Sequence, residues 1–200
     1  MDPLYLIFAL PALLLAMYAQ WMVNHAYQQY LRVPNAAGVT GVEAAQKIIG
    51  DTGLRVKLEG IEGQLTDHYD PRGKVLRLSR GVATQPSIAS VAIVAHEIGH
   101  AQQDAQGYLP LRMRAGLVPL VNLTSWLGPI LFMVGLMLQW ADLMTWGVWM
   151  FGGAVIFALV TLPVELNASR RALGLLTESG ILNEGSEIRG ARKVLSAAAL

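Results

Sequence analysis

Two long apolar stretches separated by a mixed one organise this chain. Pro3 to Val23 runs 21 residues without a charge, and at about 1.5 Å per helical residue that matches the roughly 30 Å of a hydrocarbon core. No basic segment precedes it and no Ala-x-Ala-like site follows, so it reads as a retained anchor over residues 3–24 rather than a cleaved leader. Leu117 to Pro163 is long enough for two further spans, with a polar break at Gln139-Trp140-Ala141-Asp142, which predicts a helical hairpin over 117–163. Gly128-Pro129 and Gly152-Gly153 inside it are tolerated in membrane helices and point to kinks or close helix approaches. Trp140, Trp146 and Trp149 suit an interfacial belt near the turn.

Between these stretches, over 25–115, the pattern is that of a small water-exposed domain. Thr40 is placed to cap a helix over Gly41 to Asp51, with Gly53 as its left-handed stop. Strand-like pieces follow at Leu54–Leu58, Gln64–Tyr69 and Lys74–Leu78, the last two joined by the turn Asp70-Pro71-Arg72-Gly73, which predicts a short antiparallel sheet. Residues 87–106 contain no proline and one glycine, as an uninterrupted helix requires. After the hairpin, residues 164–200 are predicted to be helical, beginning with Val164 to Glu178. The expected fold is α+β and mainly helical: three transmembrane helices and one small domain.

Composition agrees with a membrane protein. Charged residues make up 14% of the chain, against about 25% in soluble domains. All 15 Lys and Arg fall either between Arg32 and Arg114 or between Arg170 and Lys193. By the positive-inside rule, 25–115 and 164–200 then share the cytosolic side, with Met1, Asp2 and the loop around Asp142 outside. The absence of cysteine fits a reducing compartment. A net charge of +1 gives no case for nucleic acid, and the basic residues near the spans suit anionic headgroups of the bilayer. Nothing in the sequence fixes an oligomeric state.

The chemistry is concentrated in His96-Glu97-Ile98-Gly99-His100. Two histidines four apart on a helix share a face and can reach one metal ion, while the glutamate between them is placed to take a proton from the attacking water and pass it to a leaving amine. This predicts a zinc-dependent peptide hydrolase of zincin type, with Glu97 catalytic and His96 and His100 as ligands. Gly99 has no side chain to pack and points to another backbone passing close to the metal face. An H-E-x-x-H inside a span is the weaker alternative, because the apolar run ahead of His96 is too short to cross a bilayer.

A catalytic zinc takes three protein ligands. A third histidine six residues after His100 is ruled out, since position 106 is Gln. Of the downstream acids Glu165, Glu178, Glu184 and Glu187, Glu165 is the best placed, at the start of the helix that returns to the side of the His96 helix. Ser169 shares its face and could support a ligand; Asn167 is less clearly aimed. The competing reading is a zinc-stapled membrane scaffold or partner-binding protein, which would have no need of Glu97.

His96 to Gln103, the segment Leu162-Pro163-Val164-Glu165-Leu166-Asn167-Ala168-Ser169-Arg170-Arg171-Ala172, and Asp67-His68-Tyr69-Asp70-Pro71-Arg72 together resemble the YugP-like bacterial neutral zinc metallopeptidases. The resemblance covers nearly the whole chain. The Glu165-to-Ser169 segment is also similar to the E-x-x-A-D segment of membrane-bound gluzincins related to CAAX prenyl protease and HtpX, whose glutamate is the third zinc ligand; Ser169 stands where those relatives carry aspartate. The resemblance implies a gluzincin fold, one Zn2+ held by His96, His100 and Glu165, and a bacterial inner-membrane setting. It also implies an edge strand, Gln64–Tyr69 or Lys74–Leu78, that pairs with extended protein or peptide substrates, membrane proteins among them. His68, and more weakly Tyr108, are candidates for oxyanion or substrate contact. Family members continue into a further apolar helix, so a final span is expected beyond the Ala197-Ala198-Ala199-Leu200 end.

Overall fold

A computed structural model describes residues 3–183 and 185–198; Met1, Asp2, Glu184, Ala199 and Leu200, which entered the topology, ligand and C-terminal expectations, lie outside the described residues. In chain order the elements are α1 (Pro3–Leu31), α2 (Gly41–Thr52), β1 (Lys57–Ile61), β2 (His68–Asp70), β3 (Val75–Ser79), α3 (Arg80–Thr84), α4 (Ile88–Ala105), α5 (Leu109–Met137), α6 (Ala141–Glu178) and α7 (Ser186–Ala198). They form two compact units, residues 1–102 with 166–200, and residues 103–165.

In the first unit the local signals act as anticipated. Thr40 and Glu43 make a reciprocal capping box, with Glu43 Oε2 accepting from Thr40 N at 2.8 Å, and Gly53 ends α2 at φ 66°. The apolar face of α2 (Ala44, Ala45, Ile48) packs with Leu76 and Leu78 of β3, Val91, Val94 and Ile98 of α4, Leu175 and Leu176 of α6, and Val194 and Leu195 of α7 in one core. Tyr27 joins it from the end of α1.

The sheet corrects one expectation. Its order is β1-β3-β2, with β1 parallel to β3 and β2 antiparallel to it, so it is mixed rather than antiparallel. The chain turns back after β1 but β2 takes the far place in the sheet, and β3 returns between the two, so β1 gains a parallel neighbour. Strand β3, whose Val75, Leu76, Leu78 and Ser79 are buried, is therefore central, and Lys74–Leu78 is excluded as an edge. β2 is an edge, but it is three residues long and begins at His68 rather than Gln64. In the turn before β3, Asp70 Oδ1 accepts from Arg72 N and Gly73 N, and the left-handed residue is Lys74 (φ 50°), not Gly73.

The second unit is the hairpin. α5 ends at Met137 and Gln139 takes φ 53° at the expected polar break. Close packing involves Gly128 and Gly153, as expected, together with Gly135 and Gly147: a Cβ on Gly147 would lie 2.8 Å from Gly128 O and one on Gly153 3.3 Å from Thr124 Oγ1. The Cβ on Gly147 would also lie 2.7 Å from Phe132 N, and one on Gly135 2.7 Å from Met144 N, whereas Gly152 faces nothing within 4 Å. Among the described residues one helix, Leu109–Met137, is long and apolar enough to cross a membrane, and its apolar residues are largely exposed. α6 runs unbroken through Pro163, so Glu165 lies inside a helix and not at the start of one. An apolar helix tolerates the N–H that proline removes when neighbouring groups compensate, which is also how Pro119 and Pro129 sit inside α5.

Candidate metal centre

His96 and His100 leave the same face of α4; their rings meet edge to face with centres 4.8 Å apart, and both are buried. α6 reaches that face because residue 99 is glycine: a Cβ there would stand 2.7 Å from the Ala168 carbonyl oxygen. The backbone expected to pass close to the motif is thus that of α6. The next residue, Ser169, has its Oγ 3.3 Å from His96 Nδ1. That contact directs Nδ1 to the serine and makes Nε2 the nitrogen suited to a cation.

Glu165 stands one turn before Ser169 on the same uninterrupted helix. The ligand atoms of His96, His100 and Glu165 all lie within 4.8 Å of one another. Tetrahedral ligands at about 2.1 Å from an ion sit roughly 3.4 Å apart, so side-chain rotation is enough to close the set. Two imidazoles and one carboxylate fit zinc with a fourth position left for water or substrate. Of the other acids weighed, Glu187 is committed to Ala36 N (2.7 Å) and Asn183 N (3.4 Å), and Glu178 is the last residue of α6.

Glu97, between the two histidines, has Oε2 accepting from the backbone N–H of Tyr69 at 2.9 Å. Edge strand β2 therefore abuts α4 at the carboxylate between the imidazoles. β2 is held in turn by its side chains. Asp67, just ahead of it, accepts from Ser79 N (2.7 Å) and Ser79 Oγ (3.0 Å), and burial still pushes its carboxyl above the ordinary range. Asp70 is held below that range, first by the Arg72 N–H and also by Arg77, whose guanidinium bridges Asp70 (3.2 Å) and Glu59 (3.1 Å).

The remaining candidates have these surroundings. His68 Nδ1 lies 2.8 Å from Thr66 O and its Nε2 3.4 Å from Arg77 Nη1. Asn167 Oδ1 accepts from Arg171 Nε at 2.8 Å, along α6. Tyr108 is the N-cap residue just before α5, its N–H donating to Gln103 O and its carbonyl accepting from Leu111 N and Arg112 N.

Three contributors went unnoticed in the sequence. Tyr69 acts through a backbone N–H, which carries no residue signal. Buried Gln103 donates to Val164 O at 2.9 Å, beside Glu165; its position just after the histidine motif was the available hint. Arg114 Nη1 donates to Glu165 Oε1 at 2.8 Å, although the sequence marked Arg114 only as a positive flank of a span.

Residues 5–200 match the family described as "putative neutral zinc metallopeptidase". The chain is also 40% identical over 198 residues to the "putative membrane protease YugP" of Bacillus subtilis (strain 168), an alignment covering 98% of this chain and 88% of that protein. No solved structure matches the chain.

Proposed function

The chain belongs to the family of neutral zinc metallopeptidases, and from that premise we propose that it is a membrane-anchored metalloendopeptidase of gluzincin type. The supporting observation is the meeting of His96, His100 and Glu165 within 4.8 Å, with Glu97 fixed between the histidines by Tyr69 N–H. Zinc held by the three side chains would supply Lewis acidity for a scissile carbonyl and lower the pKa of a water to about 7. Glu97 takes the proton of the attacking water and delivers it to the leaving nitrogen. The Tyr69 N–H donates to Oε2 and so orients the carboxylate that handles the proton. Ser169 Oγ, accepting a hydrogen bond from His96 Nδ1, would keep that ring in the tautomer whose Nε2 can take a cation. Asn167, His68 and Tyr108 remain candidates for positioning and substrate contact.

Three spans, 3–24 and the two arms of 117–163, place 25–115 and 164–200 in the cytosol of a bacterial inner membrane in this reading. Glu165 follows the hairpin by two residues, which puts the cleft near the headgroups and favours membrane-proximal or unfolded protein segments as substrates. β2, the short edge strand at Glu97, is where an extended peptide would lie. The decisive variant is Glu97→Gln in the full chain in lipid nanodiscs. Peptide hydrolysis is expected to fall by at least about 100-fold with stoichiometric zinc retained. Hydrolysis unchanged in that variant, or absent from the wild type loaded with zinc, would favour the zinc-stapled scaffold instead.

A further inference from the structure

We propose that Arg114, carried by the apolar helix α5, is a positioning residue for the metal ligand Glu165; this rests on the reading of Glu165 as a ligand. An arginine in the second turn of a helix with the make-up of a membrane span has a default place, with its stem along the apolar surface and its head among water and anionic headgroups. Arg114 is turned inward instead. Its Nη1 donates to Glu165 Oε1 at 2.8 Å, and the two side chains are 33% and 16% exposed. That is the length of a charge-assisted hydrogen bond.

A glutamate carboxylate turns easily about its last torsion, so an otherwise well-placed ligand still loses freedom when it binds an ion. With Oε1 held by the guanidinium, the plane of the carboxylate is fixed and Oε2 is the oxygen presented to a cation. The contact thus prepares Glu165 to ligate through one oxygen and leaves the fourth position open for substrate. Like charge on the guanidinium and the ion opposes this. Both, however, are placed on the carboxylate between them, and a third of the Arg114 side chain is open to screening by solvent. Hydrogen-bond partners of metal ligands are typically worth 10–100-fold in metal affinity, and that is the scale expected of Arg114.

The test uses the full chain in detergent micelles, with zinc affinity measured against a competing chelator and cobalt(II) as a spectroscopic probe. Arg114→Ala should bind zinc roughly 10–100-fold more weakly and shift the visible cobalt band, because Glu165 is then able to ligate through both oxygens. Arg114→Lys should recover part of the affinity. Where alanine loosens the hairpin, Arg114→Gln gives the same reading with a longer stem and no charge. In a Glu165→Gln background, Arg114→Ala should cost little more. Zinc bound as tightly as in the wild type, or more tightly, with an unchanged cobalt band, would overturn the proposal. So would an Arg114→Ala loss undiminished in the Glu165→Gln background. Zinc affinity unaffected by Glu165→Gln alone would instead sink the ligand assignment on which this inference stands.

Discussion

Replacing Gly99 with alanine sets two opposed effects against each other at one position. On helix propensity alone the change favours folding by about 0.8–1.0 kcal/mol. The structure opposes it: the new Cβ would lie 2.7 Å from the Ala168 carbonyl oxygen and 3.3 Å from the Ala168 Cα. A carbon meets a carbonyl oxygen at about 3.3 Å or more, so α6 must retreat by about 0.6 Å, and the obstacle is backbone that cannot rotate away. Overpacking of this kind costs about 1–3 kcal/mol, so the net change in stability runs from about zero to a loss of about 2 kcal/mol. The larger consequence falls on the metal centre. The Ser169 Oγ to His96 Nδ1 contact is already 3.3 Å, and a retreat of that size carries it past the roughly 3.5 Å beyond which a direct hydrogen bond is lost. Zinc affinity should then drop by roughly 10–100-fold. Gly50→Ala is the control. It sits within α2 with nothing within 4 Å of the added carbon, and should gain about 0.4–1 kcal/mol with zinc binding unchanged. Thermal unfolding with and without zinc, together with chelator competition, reads both variants. A Gly99→Ala protein stabilised like Gly50→Ala, with wild-type zinc affinity, would refute the close approach of α6 to the motif.

Two further expectations concern β2. Tyr69→Pro removes the N–H that holds Glu97 on an edge strand, where proline is tolerated. Loss of a hydrogen bond to a charged group, about 1.5–3 kcal/mol, should lower kcat about 10–100-fold with zinc content intact; a kcat within twofold of wild type would show that the contact does not position the carboxylate. Asp70 is held below the ordinary carboxylate range, first by the Arg72 N–H, so its contribution to stability is complete above that range and is lost as pH falls through its own lowered value. Asp67, raised by burial, acts in the opposite sense: its contribution is lost as pH rises through the raised value. Acid titration of unfolding should therefore show a shallower acid limb for Asp70→Asn than for wild type, and an equal or steeper limb would contradict the geometry of the Asp70 turn.

The sequence by itself determined what depends on neighbours a few residues apart. The four-residue spacing of His96 and His100 puts them on one face of any helix that contains them. Thr40, Glu43 and Gly53 bracket α2 through bonds within a turn of each end, and the apolar runs are long regardless of what surrounds them. Gly99 was legible for a related reason, since a glycine inside a helix has a cost that close packing explains. Glu165 could be singled out by its place after the hairpin and by resemblance; its approach to histidines more than sixty residues earlier is a fact of tertiary structure. The same holds for β1, whose parallel pairing with β3 is chosen by the far place of β2 in the sheet rather than by the strand's own residues. It holds too for Pro163, through which α6 continues unbroken. The Tyr69 bond to Glu97 and the Arg114 bond to Glu165 were decided at this level as well. Each is a contact between elements far apart in the chain, and hydrophobic periodicity specifies which face a helix buries without specifying which polar group will meet it there.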